Sequence, residues 1–412
     1  MNIEKTVILL TTRFPYYPGE EFLEEEVVYW NKYFKGKIIL APSKSSSVKR
    51  DVPSTIEVRS LNKKIKKTTK LLIATETLFS SLFFQELLYL FSIRKKMTYG
   101  LLKHVFFACY RVFFYVFRYQ KMFKTELRNG ALMYTYWNST ESYAMAYLKR
   151  LKNNRITLIS RAHRFDVYEE YQPFNYMPLK RQFKERFDKV LAISEEGKSY
   201  LCNQYQLENI AVARLGVNVD GAVCNPDDKN KLTILSLSYC SPVKRIDRII
   251  NGIRVYALMN SNIQVSWHHI GDGTEFENLK KLADELLNIQ NVNWVFHGHK
   301  TNAEVHTFLR ANRIDALVNT SESEGVPVSI MEVMSYQIPA IAPDVGGIKE
   351  LVLPGNGILM SSSPSDNELV AALERREFYK NPAVRQAAQE HIRCHYNAQK
   401  NFSSFINMVS NF

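Results

Sequence analysis

Short β-branched and aliphatic runs alternate along the chain with longer stretches whose apolar residues recur every three or four positions. Runs that are apolar throughout suit strands buried on both faces of a parallel sheet, and the longer stretches suit the helices between them. In the first half this pattern predicts strands at Val7–Thr11, Lys37–Ala41, Ala131–Tyr136, Ile156–Ser160, Lys189–Ile193 and Ile210–Arg214. In the second half it predicts Leu232–Leu237, Val265–Ile270, Val292–Phe296, Asp315–Asn319, Ala340–Pro343 and Gly357–Met360. The polar stretch Asn225–Lys231 interrupts the alternation and reads as a linker. The implied fold class is α/β, with two Rossmann-like doubly wound parallel sheets facing across a cleft, over residues 1–225 and 226–395. Residues 396–412 would form a closing helix. With 412 residues, the chain exceeds one ordinary core, which agrees with two domains. Ligands in such sheets bind beyond the carboxyl ends of the strands, so the loops there carry the candidate chemistry.

One segment breaks the pattern. Residues 61–124 hold 13 Lys/Arg against two acids, Glu76 and Glu86, while the rest of the chain is near neutral at 41 basic against 39 acidic. The net charge of +13 is therefore local. No base-reading or stacking element accompanies it, which argues against nucleic-acid binding. The segment is also crowded with phenylalanine, but charges interrupt it before it reaches the ~18 apolar residues of a membrane span. His104, Arg111 and Arg118 recur at seven-residue spacing as one polar stripe. Two readings stand: helices packed inside the first domain, or a surface that meets anionic lipid. Five scattered cysteines without a C-x-x-C indicate a reducing compartment. Val7–Leu10 is far shorter than a signal-peptide core, so the expected location is cytoplasmic, with the inner face of the plasma membrane as the lipid surface 61–124 would meet.

The sharpest chemical signal is Glu324-Gly-Val-Pro-Val-Ser-Ile-Met-Glu332, directly after a predicted strand. Pro327 suits the first turn of a helix, where a missing amide hydrogen costs nothing. Glu324, Gly325, Val326, Pro327 and Val328 then form a loop and helix start, with Glu332 more than a turn further on. Two carboxylates and several free amides suit a polyhydroxy ligand attached to phosphate. Gly346 and Gly347 follow the next strand, ahead of a helix expected near Ile348, and permit close backbone approach. Upstream, Lys244 and Arg245 bring positive charge to a loop where a leaving diphosphate would develop negative charge. His269-Ile-Gly-Asp-Gly273 ends another strand in a tight turn at Gly271 and Gly273, with the third glycine of a dinucleotide fingerprint missing.

Taken together, Val243-Lys-Arg-Ile-Asp247, His269–Gly273, the E-x7-E segment, Gly346–Glu350 and Asn356–Leu359 resemble the donor domain of glycosyltransferase family 4, retaining enzymes of GT-B architecture. The resemblance covers most of Leu232–Phe412 and implies a hexosyltransferase. Glu324 would bind hydroxyls of the donor sugar, Glu332 the ribose, Lys244 the diphosphate, and the amides at Gly346 and Gly347 phosphate and sugar. Two positions depart from the family. Ser238 stands where an arginine is common, so Arg245 or another base would share its role, and Gln337 stands where glycine is frequent.

In the first half, the loop with Gly19 after the first strand resembles one that approaches donor phosphates. Arg161-Ala-His-Arg-Phe-Asp166 is similar to the family's histidine loop, making His163 a catalytic candidate and Arg161 and Asp166 acceptor-side candidates. The paired histidines His268-His269 and His297-x-His299 lack carboxylates at ligand spacing, so no metal and no cofactor is expected. The implied partners are a UDP- or GDP-sugar donor and a glycan or lipid-linked acceptor, as in bacterial surface-polysaccharide assembly. A nucleotide-sugar epimerase, a phosphorylase of the same architecture, or a non-catalytic carbohydrate-binding scaffold are the alternatives.

Overall fold

The computed structural model describes residues 5–61, 64–95, 97–151 and 156–412. The chain forms two compact units, residues 1–213 with 402–412, and residues 214–401. The stretch Asn225–Lys231 lies inside the second unit. Its Asp227 amide donates to Asp315 Oδ1 (2.8 Å), and Thr233 Oγ1 donates to Asp227 Oδ2 (2.8 Å).

In the first unit the strands are β1 (Thr6–Thr11), β2 (Lys37–Pro42), β3 (Ile56–Val58), β4 (Leu132–Thr135), β5 (Thr157–Ala162), β6 (Lys189–Ala192) and β7 (Ile210–Val212). They form one parallel sheet in the order β3-β2-β1-β4-β5-β6-β7. Both faces are buried, as the apolar runs require. Ile8, Leu10 and Met133 enter one core, and Val7, Leu9 and Leu132 enter the other. The first core is covered by α2 (Lys67–Leu78), α3 (Ser81–Tyr89), α4 (Tyr99–Met122) and α6 (Thr140–Leu151). The helix α5 (Lys124–Asn129) follows α4 directly. On the other face α1 (Leu23–Tyr33) packs with the C-terminal helix, Ala398–Ser410, through Trp30 and Phe405, whose rings lie 5.5 Å apart. Two further helices, α7 (Lys180–Phe183) and α8 (Glu195–Tyr205), complete the unit. Several starts carry side-chain caps: Ser80, Thr98 and Ser194 accept amide hydrogens from Phe83, Leu101 and Gly197.

The described residues of segment 61–124 are thus mostly helical and partly core. By length and hydropathy α4 is apolar enough to cross a membrane, contrary to the sequence expectation, yet Val105, Cys109, Val112 and Val116 are buried in the unit's core.

The second unit contains β8 (Lys231–Leu237), β9 (Gln264–Ile270), β10 (Val292–Phe296), β11 (Ala316–Val318), β12 (Ala340–Pro343) and β13 (Gly357–Met360). They are parallel, in the order β10-β9-β8-β11-β12-β13. The intervening helices are α9 (Ile246–Met259), α10 (Phe276–Leu286), α11 (Asn302–Ala311) and α12 (Val328–Met334). After β13 come α13 (Asp366–Glu374), α14 (Arg376–Lys380), α15 (Pro382–His395) and α16 (Ala398–Ser410), whose later turns belong to the first unit. The strand order reverses between β8 and β11, so the loops after these strands part and leave a crevice at the carboxyl edge. That is where Lys244 and Glu324 lie.

Candidate active site

After β8 the chain runs through Ser238–Ser241 and a 3-10 turn, Pro242–Lys244, into Arg245, which is left-handed (φ 49°) and starts α9. After β11 it runs through Asn319–Glu324 to Pro327. The two loops are knitted together: Glu322 N donates to Val243 O (2.9 Å), and Thr320 Oγ1 donates to Lys244 O (3.2 Å) and Arg245 O (2.7 Å). They hold Lys244 Nζ 2.6 Å from Glu324 Oε1, with Asn319 Nδ2 donating to the same oxygen at 3.4 Å. Glu324 is 8% exposed. Ser321 N fixes Asn319 through its Oδ1 (2.9 Å). A cavity of about 10 Å³, room for one water, lies beside Ser238, Lys244 and Asn319.

Several expectations need correction. The Arg245 guanidinium is engaged by Asp247 (Nη2 to Oδ2, 2.9 Å) and Glu322, which also raise its pKa, so among the described residues the cation paired with Glu324 is Lys244. Pro327 is the N-cap of α12 rather than a residue of its first turn, and α12 has only seven residues. The expected helix near Ile348 is a 3-10 turn, Gly346–Glu350. Gly347 N already donates to Gly325 O (2.7 Å), so it offers no amide to phosphate. Gly346 has φ 54°, and a Cβ there would sit 2.0 Å from Glu324 O. Its lack of a side chain is what lets the Glu324 loop pack against the next strand's loop. Gly325 and Val328 lie half-buried, Val326 and Pro327 are buried, and Glu332 sits half-buried on the second turn of α12.

Gly271 and Gly273 (φ 140° and 152°) serve the same kind of approach, with Ser238 O 1.9 Å and Cys240 O 2.4 Å from where their Cβ atoms would be. The loop after β9 therefore supports the loop that carries Lys244. Behind it Trp267 Nε1 donates to Ser236 Oγ (2.9 Å), which meets His269 Nδ1 (2.8 Å), while His269 Nε2 faces Cys240 Sγ (3.1 Å). Burial, aided by His297, lowers the His269 pKa to about 4. Gln337 has φ 63°, the left-handed region that glycine takes freely, and its Nε2 donates to Gln389 Oε1 (3.1 Å). Among the described residues, no three His, Cys, Asp or Glu side chains converge as a metal site.

In the first unit, β5 extends two residues beyond the expected strand, which draws Arg161 into the core. Its guanidinium is fully buried, 2.5 Å from Glu26 Oε2 and over the Phe405 ring (4.3 Å to centroid). This corrects its assignment as an acceptor-side residue. His163, just past the strand, is 7% exposed and packs on Tyr136 and Trp137 (centroids 4.6 and 4.7 Å). Burial, with nearby Arg161, pushes its pKa well below normal, and its Nε2 has no hydrogen-bond partner. Asp166 closes the turn that carries it, accepting from His163 N and, at 2.5 Å, from Asn138 N. Asp166 is buried, and that burial lifts its pKa to about 6 against the pull of Lys180.

Two further residues stand out that sequence reasoning missed. Asn138, three residues past β4, has a buried Nδ2 without a hydrogen-bond partner, and so does His163 at Nε2. Glu20, itself left-handed (φ 59°), is wrapped by the loop after β1: its carboxylate accepts from Thr12 N (3.1 Å), Arg13 N, Phe14 N (both 2.6 Å) and Trp137 Nε1 (2.6 Å). Gly19 (φ 97°) tops this loop with open space above its Cα, its amide donating to Glu21 Oε1 (2.9 Å).

Residues 225–399 match the family model of the glycosyl transferases group 1. The match takes in the Lys244 and Glu324 loops and Gly346 together. The O-antigen biosynthesis glycosyltransferase WbnH of Escherichia coli is 33% identical over 139 residues, covering 33% of this chain and 38% of that one. The lipopolysaccharide 1,6-galactosyltransferase of Salmonella typhimurium is 28% identical over 187 residues, covering 44% and 50%. The alignments thus span half or less of these relatives' length. Among solved structures, the apo form of the lipopolysaccharide outer core galactosyltransferase WaaB superposes with a TM-score of 0.69 at 17% identity, covering 99% of this chain and 100% of that one. At that identity the likeness speaks to fold, and the fold is GT-B: two parallel-sheet α/β units.

Proposed function

We propose that this chain is a retaining glycosyltransferase that moves a hexose from a UDP- or GDP-sugar to a glycan or lipid-linked glycan in surface-polysaccharide assembly. The observation that carries the reading is the Lys244–Glu324 pair, 2.6 Å apart at the strand-order reversal of a glycosyl transferases group 1 domain. A cation and a carboxylate held by interlocked loops match the two halves of a sugar diphosphate. As donor binds, the diphosphate takes Lys244 and frees a Glu324 oxygen to accept from sugar hydroxyls, while Glu332 meets the ribose. The acceptor oxygen then bonds to the anomeric carbon as the carbon–phosphate oxygen bond breaks on the same face, and the acceptor proton passes to the departing phosphate. Lys244 stabilises the charge that grows there, without a metal ion. In the first unit, the buried His163 Nε2 and Asn138 Nδ2 both lack a hydrogen-bond partner, which supports His163 as a contact for a ligand hydroxyl there.

The test is turnover of UDP- and GDP-sugars with and without EDTA, followed by NMR of the anomeric proton in the product. An inverted product or loss of activity in EDTA overturns the retaining, metal-free reading. An acceptor-independent isomer would mark an epimerase instead, and phosphate dependence a phosphorylase.

A further inference from the structure

The helices of segment 61–124 bury one face and leave many apolar side chains exposed on the other. Among the described residues, eleven of the twenty-five exposed large hydrophobic side chains fall between Leu71 and Phe107. They follow the helical period. On α2, Leu71, Leu78 and Phe79 share one side, and on α3 with its continuation, Phe84, Leu88 and Phe91 recur at four- and three-residue steps. Phe79 is 77%, Phe91 71% and Tyr99 82% exposed. The inner faces of these helices already reach the core through Ile73, Leu82 and Leu90, so these outer residues fill no space inside the unit. A patch of this kind on a folded surface marks a binding face.

Charge identifies what it binds. Among described residues 64–111, seven basic side chains are exposed and one acidic, Glu76. Lys66, Lys67 and Lys70 stand at the start of α2, and on α4 exposed aromatic and basic residues alternate every fourth position, Tyr99, Lys103, Phe107, Arg111. A second copy of the chain would set this basic rim against its like. A bilayer with anionic headgroups neutralises the rim while its acyl boundary takes the aromatics, and lysine stems reach from one layer to the other.

We propose that the outer face of α2, α3 and the first turns of α4 seats this protein on an anionic bilayer, lying in the interface rather than spanning it. This inference stands independently of the transferase reading. The test is flotation of the full-length protein with phosphatidylcholine vesicles, with and without phosphatidylglycerol, at low and high salt. Wild type is expected to float with the anionic vesicles and to be retained in part at high salt. The triple exchange Phe79→Ser/Phe91→Ser/Tyr99→Ser should weaken binding about tenfold or more on every vesicle, because three interfacial rings are lost. Lys67→Glu/Lys70→Glu/Lys103→Glu should weaken it only on the anionic ones. All these side chains are exposed, and unchanged thermal melting of each variant confirms folding. Wild type that floats with neither vesicle, or floats equally well as the triple serine variant, overturns the proposal. Wild type that ignores vesicles but forms a dimer, dissociated by the serine variant, would assign the face to a second copy instead.

Discussion

Replacing Lys244 by alanine removes an ammonium 2.6 Å from Glu324 Oε1 and leaves that carboxylate with one weak partner, Asn319 Nδ2 at 3.4 Å. The Glu324 side chain is 9% exposed and that of Lys244 22%. Breaking a fully buried pair costs about 3–5 kcal/mol. Water reaches this lysine, so the loss here should be nearer 1–2 kcal/mol, between the buried and surface limits. Turnover should suffer more. Losing a charge that stabilises the departing oxyanion costs about 2.7–4 kcal/mol, or roughly a hundred- to a thousandfold. The two effects separate in a cycle with Glu324→Gln. The double variant has no uncompensated carboxylate, so its stability should recover most of the deficit while its turnover stays low. Urea denaturation gives the first quantity, and nucleoside diphosphate release under saturating donor gives the second. Near wild-type turnover in folded Lys244→Ala would refute the role, as would stability and turnover recovering together in the double variant.

Other expectations follow from the same geometry. Gly346→Ala would place a methyl 2.0 Å from Glu324 O in a left-handed conformation, so the Glu324 loop must shift. Donor turnover should fall at least about tenfold with the melting temperature only modestly lowered, since the loop is at the surface of the sheet. Asp166→Ala leaves the amides of His163 and Asn138 unpaired and should destabilise by about 1–3 kcal/mol in urea. The folded pKa of His269, about 4, lies below the unfolded value, so the unfolded chain binds more protons between these values. Stability is then full above about pH 6.5 and falls by up to about 3 kcal/mol as pH drops through the folded pKa. His269→Gln should flatten that slope in urea titrations at pH 7 and pH 5, and an unchanged slope would contradict it.

Much of the fold was legible because parallel strands buried on both faces announce themselves as unbroken apolar runs. β10, β12 and β13 match their expected bounds. The edge strand β3 did not, since Ile56–Val58 is three residues long and follows Pro53 and Ser54. The loops that carry Lys244, Glu324 and Gly346 were legible as an ordered set following successive strands. Which ones touch was not, because the 80-residue separation of Lys244 and Glu324 is closed only by the strand order. Arg161 was misread for a local reason: the strand continued two residues past its apolar run to bring an arginine to Glu26. The Glu20 nest was invisible because it is made of main-chain amides, whose convergence depends on a left-handed turn at a non-glycine residue. The density of phenylalanine in 61–124 fitted both of its readings for a physical reason: the inner sides of those helices are core, and the outer sides are exposed and apolar.

Whether the chain transfers sugar from a nucleotide is decided by offering the purified protein a panel of UDP- and GDP-sugars and measuring nucleoside diphosphate release, with Glu324→Ala alongside. Wild type should consume one of these donors, and the variant, still folded, should lose at least about a hundredfold in turnover. Release from no donor at all, or equal release by the two proteins, would contradict the transferase reading.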